Sequence, residues 1–397
     1  MSLPLEGLTV VALEHAIAAP LCTRQLADQG ARVIKIERPG SGDFARGYDT
    51  RVRGLSSHFV WTNRSKESLT LDLKHEAAQA VLRQLLAKAD VLVQNLAPGA
   101  AARMGLSFEA LHPSHPRLIV CDISGYGDDP ARPGPMRDQK AYDLLIQSEA
   151  GFLSVTGTEE ERAKAGCSIA DIAAGTQAHA RILAALLQRA RTGQGCRIDI
   201  SMLESMVEWM GFPMYYAIDG ASPPPRAGAA HATIYPYGPF PTGDGRSVML
   251  GLQNEREWVV FCEQVLRQPA LAQDPRYASN PLRSQARDEL HALIAGVFAP
   301  LSIEQVEVRL DAAQIAHARV NDMAAVWAHP QLLARERWVN IGTPAGPVPA
   351  LLPPGVAIPD DCRMASVPAL GQHTEAILTE LGHDAAAISA LRAARVV

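Results

Sequence analysis

The sequence predicts an α/β fold, with a Rossmann-like large domain on a parallel sheet plus a smaller, mainly helical α+β domain. Two observations carry this. Short apolar runs alternate with helical segments over the first 125 residues. Short apolar strands separated by helices suggest a parallel sheet covered on both faces. Residues 221–228 (ASPPPRAG) form a linker beyond which the pattern turns helical. The expected domains are 1–224 with 326–397 for the large one and 225–325 for the small one.

Residues 8–13 (LTVVAL) read as the first strand, and 19–28 as a helix stopped by Gly30. Strands follow at 33–37 (VIKIE) and 68–73 (SLTLDL). Residues 76–88 place Val81, Leu82, Leu85 and Leu86 on one helical face. Residues 91–94 (VLVQ) and 118–123 (LIVCDI) are two more apolar strands. A long helix spans 172–191, with Ile182, Leu183, Leu186 and Leu187 on its apolar side. A strand at 197–202 and a helix at 203–217 come next. Past the linker, a short strand at 248–252 precedes helices near 255–266, 284–298 and 303–310. A last helix lies near 374–381.

With 397 residues, 47% of them apolar, each domain can bury a core. Lys and Arg number 37 against 42 Asp and Glu, a net charge of −5. That excludes a chain-wide basic footprint for nucleic acid but leaves room for a local basic pocket. The 6 cysteines form no C-x-x-C pair, and no H-E-x-x-H occurs, so neither a metal site nor a disulfide framework is expected. Scattered thiols, a start without a basic n-region and no apolar run near the ~20 residues that span a bilayer point to a cytoplasmic protein off the membrane. No G-x-G-x-x-G, P-loop or G-x-S-x-G signature is present, which disfavours a nicotinamide-binding redox enzyme.

Three stretches remain. Arg38-Pro39-Gly40-Ser41-Gly42-Asp43 follows a strand, where ligands of open α/β sheets sit and Arg38 could hold a phosphate. A solvated surface turn is the simpler reading. Asn95-Leu96-Ala97-Pro98-Gly99, with Arg103 beyond, is an ordinary strand–helix junction or a second ligand loop. Asp171 stands in the small, apolar run SIADIAAG at a helix start. It reads first as an N-cap. The alternative is a carboxylate nucleophile, ionised by ~10³ to one at pH 7 from its reference pKa.

Taken in order, ALEHAIAAP, VIKIERPGSGD, NRSKESLTLDLK, VLVQNLAPG, ISGYG, KAYD, SIADIAAG and RTGQGCRIDISMLE resemble the class III CoA-transferases (formyl-CoA transferase-like, CaiB/BaiF). The resemblance runs from about residue 5 to 210 and more loosely to the end. It implies an interlocked homodimer, Asp171 as the catalytic carboxylate, and coenzyme A thioesters as co-substrates with no resident cofactor. It implies CoA contacts at Ala16, Ile17, Ala18, Arg38, Leu71, Asn95, Leu96, Arg103, Lys140 and Tyr142, with Asp143 beside the thioester. The stretches KAYDLLIQSEAGFLSVTG, HATIYPYGPF and LGLQNEREW resemble the branch acting on C4–C6 dicarboxylic acids such as itaconate, mesaconate and citramalate, with succinyl-CoA as donor. Arg46, Arg226 and His231 are the expected holders of a second carboxylate, with solvated loop residues as the alternative. An acyl-CoA racemase is disfavoured, because Asp138 stands where its His would be. A non-catalytic CoA-binding subunit is disfavoured by the presence of Asp171.

Overall fold

The computed structural model describes residues 2–397. The chain forms two compact units. The first comprises 1–151, 165–211 and 331–397, and the second 152–164 and 212–330. The changeovers thus differ from the expected ones. The 221–228 linker lies inside the second unit instead of at its edge, and 152–164 leaves the first unit although nothing in its composition signals this.

The first unit is built on six strands in parallel: β1 (Thr9–Leu13), β2 (Arg32–Glu37), β3 (Lys66–Thr70), β4 (Val91–Gln94), β5 (Ile119–Ser124) and β6 (Arg197–Ser201), in the order β3-β2-β1-β4-β5-β6. Helices α1 (Ala18–Asp28), α2 (Glu76–Leu86), α3 (Asp143–Glu149) and α4 (Ile169–Thr192) accompany it. Val11, Ile34, Leu69, Leu92 and Val120 pack with Val81, Leu82 and Leu85 of α2 in one buried cluster. Burying such side chains is the main favourable contribution to the fold.

The buried stripe of α4 is mostly alanine, Ala170, Ala174, Ala178 and Ala185 together with Ile182, while Leu187 is exposed, contrary to expectation. Small residues let α1 approach closely. A Cβ on Gly175 would stand 2.5 Å from the Ala18 carbonyl oxygen. The expected helix over 203–217 breaks at Met210 into Met202–Trp209 and Gly211–Tyr216.

The edge strand β3 is closed by the returning C-terminal segment. Ser68 N–H donates to His373 Nδ1 (3.1 Å), Thr70 N–H to Thr374 Oγ1 (3.1 Å), and Asp72 N–H to the Val396 carbonyl (2.8 Å). Pairing an edge strand's backbone groups in this way removes a template for aggregation.

The second unit holds an antiparallel sheet, β7 (Tyr237–Pro241), β8 (Ser247–Gly251) and β9 (His317–Arg319), in that order. It packs on helices including Arg287–Phe298 and Ile303–Ala312 around Trp258, Phe261 and Phe298. Only β8 was legible from the sequence. Pro239, Pro241 and Gly238 obscure β7, and β9 is only 3 residues long. No helix among the described residues is long and apolar enough to cross a membrane.

Candidate active site

A cavity of about 1070 Å³ opens in the first unit. Its walls include the segments at the carboxyl ends of the strands: His15–Ala18 after β1, Arg38 after β2, Leu71–Lys74 after β3, Asn95–Pro98 after β4, Ser124 at the end of β5 with Gly125 after it, and Met202 after β6. Parallel α/β sheets bind ligands at this edge.

The turn after β1 is held from two sides. The Asn95 side chain accepts from His15 N–H and donates to the His15 carbonyl, both at 2.9 Å. Asp43 Oδ1 accepts from Ala16 N–H at 3.2 Å and from Ala45 N–H at 2.9 Å. Ala16 sits in the left-handed region at φ 62°, a conformation that costs a residue with a Cβ about 1 kcal/mol and persists only where its surroundings enforce it.

Those surroundings are a buried charge network. Asp43 pairs with Lys35 at 2.7 Å, and Glu14 pairs with Lys66 at 2.6 Å and with Lys35 at 3.3 Å, all with side chains 0% exposed. Burial pushes the Glu14 carboxyl up, but Lys66 and Lys35 outweigh it and hold it below the usual range. Burial also brings Lys66 down to about 8. Such a network is costly to leave incomplete, since removing one partner strands a buried charge.

The turn delivers the start of α1 to Asp171. Ser168 is the N-cap position of α4, so Asp171 is the third helical residue, and Ser168 makes no side-chain cap. Asp143 does that work from α3: its Oδ1 accepts from Ala170 N–H at 2.8 Å and from Asp171 N–H at 3.3 Å. Its Oδ2 takes the Gln147 amide at 2.7 Å. Asp171 is therefore not the N-cap that its position suggests.

Burial and the charge of Asp143 push the Asp171 carboxyl up to about 7, against the pull of the Ala18 backbone N–H. The expected ~10³-to-one ionisation is corrected: in the free protein the charged and neutral forms are near balance at pH 7. The first turns of two helices, α1 and α4, thus meet at one carboxylate, and their N-termini favour negative charge there.

The cavity brings together Ala16, Ile17, Ala18, Arg38, Leu71, Asn95, Leu96, Arg103, Lys140, Tyr142, Asp143 and Asp171. Arg38, Lys74, Arg103 and Lys140 line it beside the acids Glu37, Asp72, Asp143 and Asp171, so cations that can pair with phosphate are present despite the net charge of −5. Sequence reasoning missed Lys74, His15, Phe44, Tyr48 and His58, which also line it. Lys74 directly follows the SLTLDL run and was within reach. His15, Phe44 and Tyr48 lie on or beside short connections, and His58 on the short helix Ser57–Asn63, none of which a periodicity reveals.

Three expected residues are placed elsewhere. Arg46 gives Nε and Nη2 to the two Glu37 oxygens at 2.8 Å each and lies 3.7 Å over the Phe59 ring. It neutralises a buried acid and does not line the cavity. Arg226, in the second unit, donates to the carbonyls of Thr158 and Glu159. His231, also there, accepts at Nδ1 from Thr233 and Ile234 N–H and stacks on Tyr237. Burial and Arg287 push its pKa down, so it is a poor cation for a carboxylate.

The family model for CoA-transferase family III matches residues 5–374. A mouse succinyl-CoA:glutarate CoA-transferase is 34% identical over 99% of this chain and 90% of its own. A succinyl-CoA–D-citramalate CoA-transferase of Chloroflexus aurantiacus is 31% identical over 99% of this chain and 98% of its own. A crystal structure of a CAIB/BAIF family protein from Brucella suis superposes with a TM-score of 0.82 at 32% identity, covering 96% of this chain and 100% of that one. The chain belongs to CoA-transferase family III and is a CoA-transferase.

Proposed function

We propose that this enzyme moves CoA from an acyl-CoA donor, succinyl-CoA, to a C4–C6 dicarboxylic acid, with Asp171 as the covalent carrier. The observation that carries this reading is the Asp171 carboxylate on the wall of a cavity that Arg38, Lys74, Arg103 and Lys140 also line, at the meeting of two helix starts and against the Ala18 N–H. The similarity to transferases of glutarate and citramalate supports the acceptor class, and mesaconate and itaconate belong to the same chemistry. The chain works as a homodimer in this reading.

The steps balance without metal or ATP. An Asp171 oxygen attacks the donor thioester carbonyl, the C–S bond breaks, and a mixed anhydride and CoA thiolate form. The thiolate attacks the Asp171 acyl carbon, releasing the donor carboxylate and leaving an aspartyl-CoA thioester. The acceptor carboxylate attacks that thioester, giving a second anhydride and thiolate. The thiolate then attacks the acceptor acyl carbon and Asp171 is regenerated. Each tetrahedral centre carries negative charge beside the starts of α1 and α4, which are fixed before reaction. Arg38, Lys74, Arg103 and Lys140 hold the CoA phosphates. Water must be kept out, because every intermediate hydrolyses.

Incubation with succinyl-CoA should leave a hydroxylamine-sensitive CoA adduct on Asp171, seen by mass spectrometry and absent from Asp171→Ala. An acceptor panel of glutarate, citramalate, mesaconate, itaconate and oxalate then fixes the acid. Adduct formation in Asp171→Ala, or no transfer to any dicarboxylate, overturns the reading.

A further inference from the structure

With Arg46 tied to Glu37, the cavity needs another group for the distal carboxylate of a dicarboxylic substrate. We infer that His58, held by Asp49, is that group, with the Tyr48 hydroxyl beside it. The inference rests on the dicarboxylate reading above.

Four rings run continuously along the cavity wall. His15 stacks on Phe44 (5.1 Å, 18°), Phe44 meets Tyr48 (5.8 Å), and Tyr48 meets His58 edge-on (5.4 Å, 89°). All four line the same cavity as Asp171. His15 begins the turn that presents Ala18 N–H to Asp171. Tyr48 feels the Asp171 charge directly: burial, Asp43 and then Asp171 push its phenol up to about 12. The phenol therefore stays protonated and remains a hydrogen-bond donor. The ladder thus leads from the reacting carboxylate to an imidazole.

The imidazole is prepared. Its Nδ1 lies 3.1 Å from Asp49 Oδ2. Asp49 is itself fixed by N–H groups of Arg51 (2.9 Å) and Ser57 (3.0 Å) and by the Ser57 hydroxyl (2.7 Å). These bonds favour its ionised form, so Asp49 accepts and the His58 Nδ1 carries the proton. Among the described residues nothing bonds to Nε2, and the side chain is 42% exposed. A ligand carboxylate at Nε2 would accept a hydrogen bond from the protonated ring and leave the imidazole held between Asp49 on one side and the substrate on the other. A methyl group at the same place gains none of this and leaves Nε2 and the Tyr48 hydroxyl unpaired, which is how polar subsites reject an apolar analogue.

The test compares glutarate with pentanoate, equal in length, as acceptors at saturating succinyl-CoA. The donor half-reaction is common to both and cancels in the ratio of their kcat/KM values. Wild-type enzyme should favour glutarate, and His58→Gln should lower the ratio tenfold or more. Asp49→Asn should lower it less, and His58→Lys, which keeps a cation, should retain most of it. Thermal unfolding checks that each variant is folded. A ratio that survives in folded His58→Gln, or in Asp49→Asn if His58→Gln does not fold, overturns the subsite alone. Equal use of both acids by wild-type enzyme overturns the dicarboxylate reading, and the subsite with it.

Discussion

Asp143 caps the helix that carries Asp171: one Asp143 oxygen lies 2.8 Å from Ala170 N and 3.3 Å from Asp171 N. The second acid of the site thereby fixes the first and raises its pKa by like charge. Asp143→Asn keeps an acceptor for those N–H groups and removes the charge. The midpoint of kcat/KM for acyl-CoA against pH, expected near 7 in the wild type, should move about 0.5–1 unit toward acid. An unmoved midpoint in a folded variant would show that burial alone sets the Asp171 pKa.

Asp171→Asn should abolish transfer, by ~10³-fold or more, as removal of a covalent nucleophile does. It should also change stability with a defined sign. The folded pKa of Asp171, about 7, lies above the ordinary value near 4. The stability that its neutral form contributes is present at low pH and lost as pH rises through that window. The variant should therefore melt a few degrees above wild type at pH 8, with the gap closing by pH 4–5. Melting curves at the two pH values decide this.

Gly175→Ala introduces a Cβ 2.5 Å from the Ala18 carbonyl oxygen. Helix α1 must withdraw, and overpacking of this kind costs about 1–3 kcal/mol. The Ala18 N–H retreats with it, so kcat should fall more than the affinity for acyl-CoA. Denaturant unfolding read beside single-turnover rates separates the two effects. Full activity with lowered stability would detach the Ala18 N–H from the chemistry.

Arg46→Met tests the reassignment of that arginine. It strands the Glu37 carboxylate, whose side chain is 0% exposed. Breaking such a buried pair costs roughly 3–5 kcal/mol. Stability should drop by that order, while a folded fraction at low temperature keeps the wild-type acceptor preference. A lost preference for dicarboxylates would return Arg46 to the site.

The parallel sheet was legible because β1, β4 and most of β5 are apolar runs separated by helical segments, and Val81, Leu82, Leu85 and Leu86 mark α2 by period alone. All four are buried. Helix α4 shows the limit of that reasoning. Its exposed Leu187 and buried alanines invert the rule that large apolar residues face inward. Neighbours set the rule here, since the close approach of α1 admits only small side chains. The site divides in the same way. Motif order pointed to Asp171, Arg38, Arg103 and Lys140, all of which line the cavity. Arg46 failed because its partner Glu37 was read only as the end of a strand. His58 was hidden because a 3.1 Å pairing with Asp49, nine residues away, has no sequence signature.

Closure of the β3 edge by the chain's far end has a consequence in time. Ser68 and Thr70 wait for partners 305 and 304 residues later in the chain, and Leu71 and Lys74, immediately beyond, form a wall of the cavity. Contacts of such separation form late, because a long loop must be closed before they stabilise anything. During synthesis, then, the sheet centre around β1 can assemble before this wall of the cavity is fastened. That wall is fastened only once His373, Thr374 and Val396 have emerged and docked.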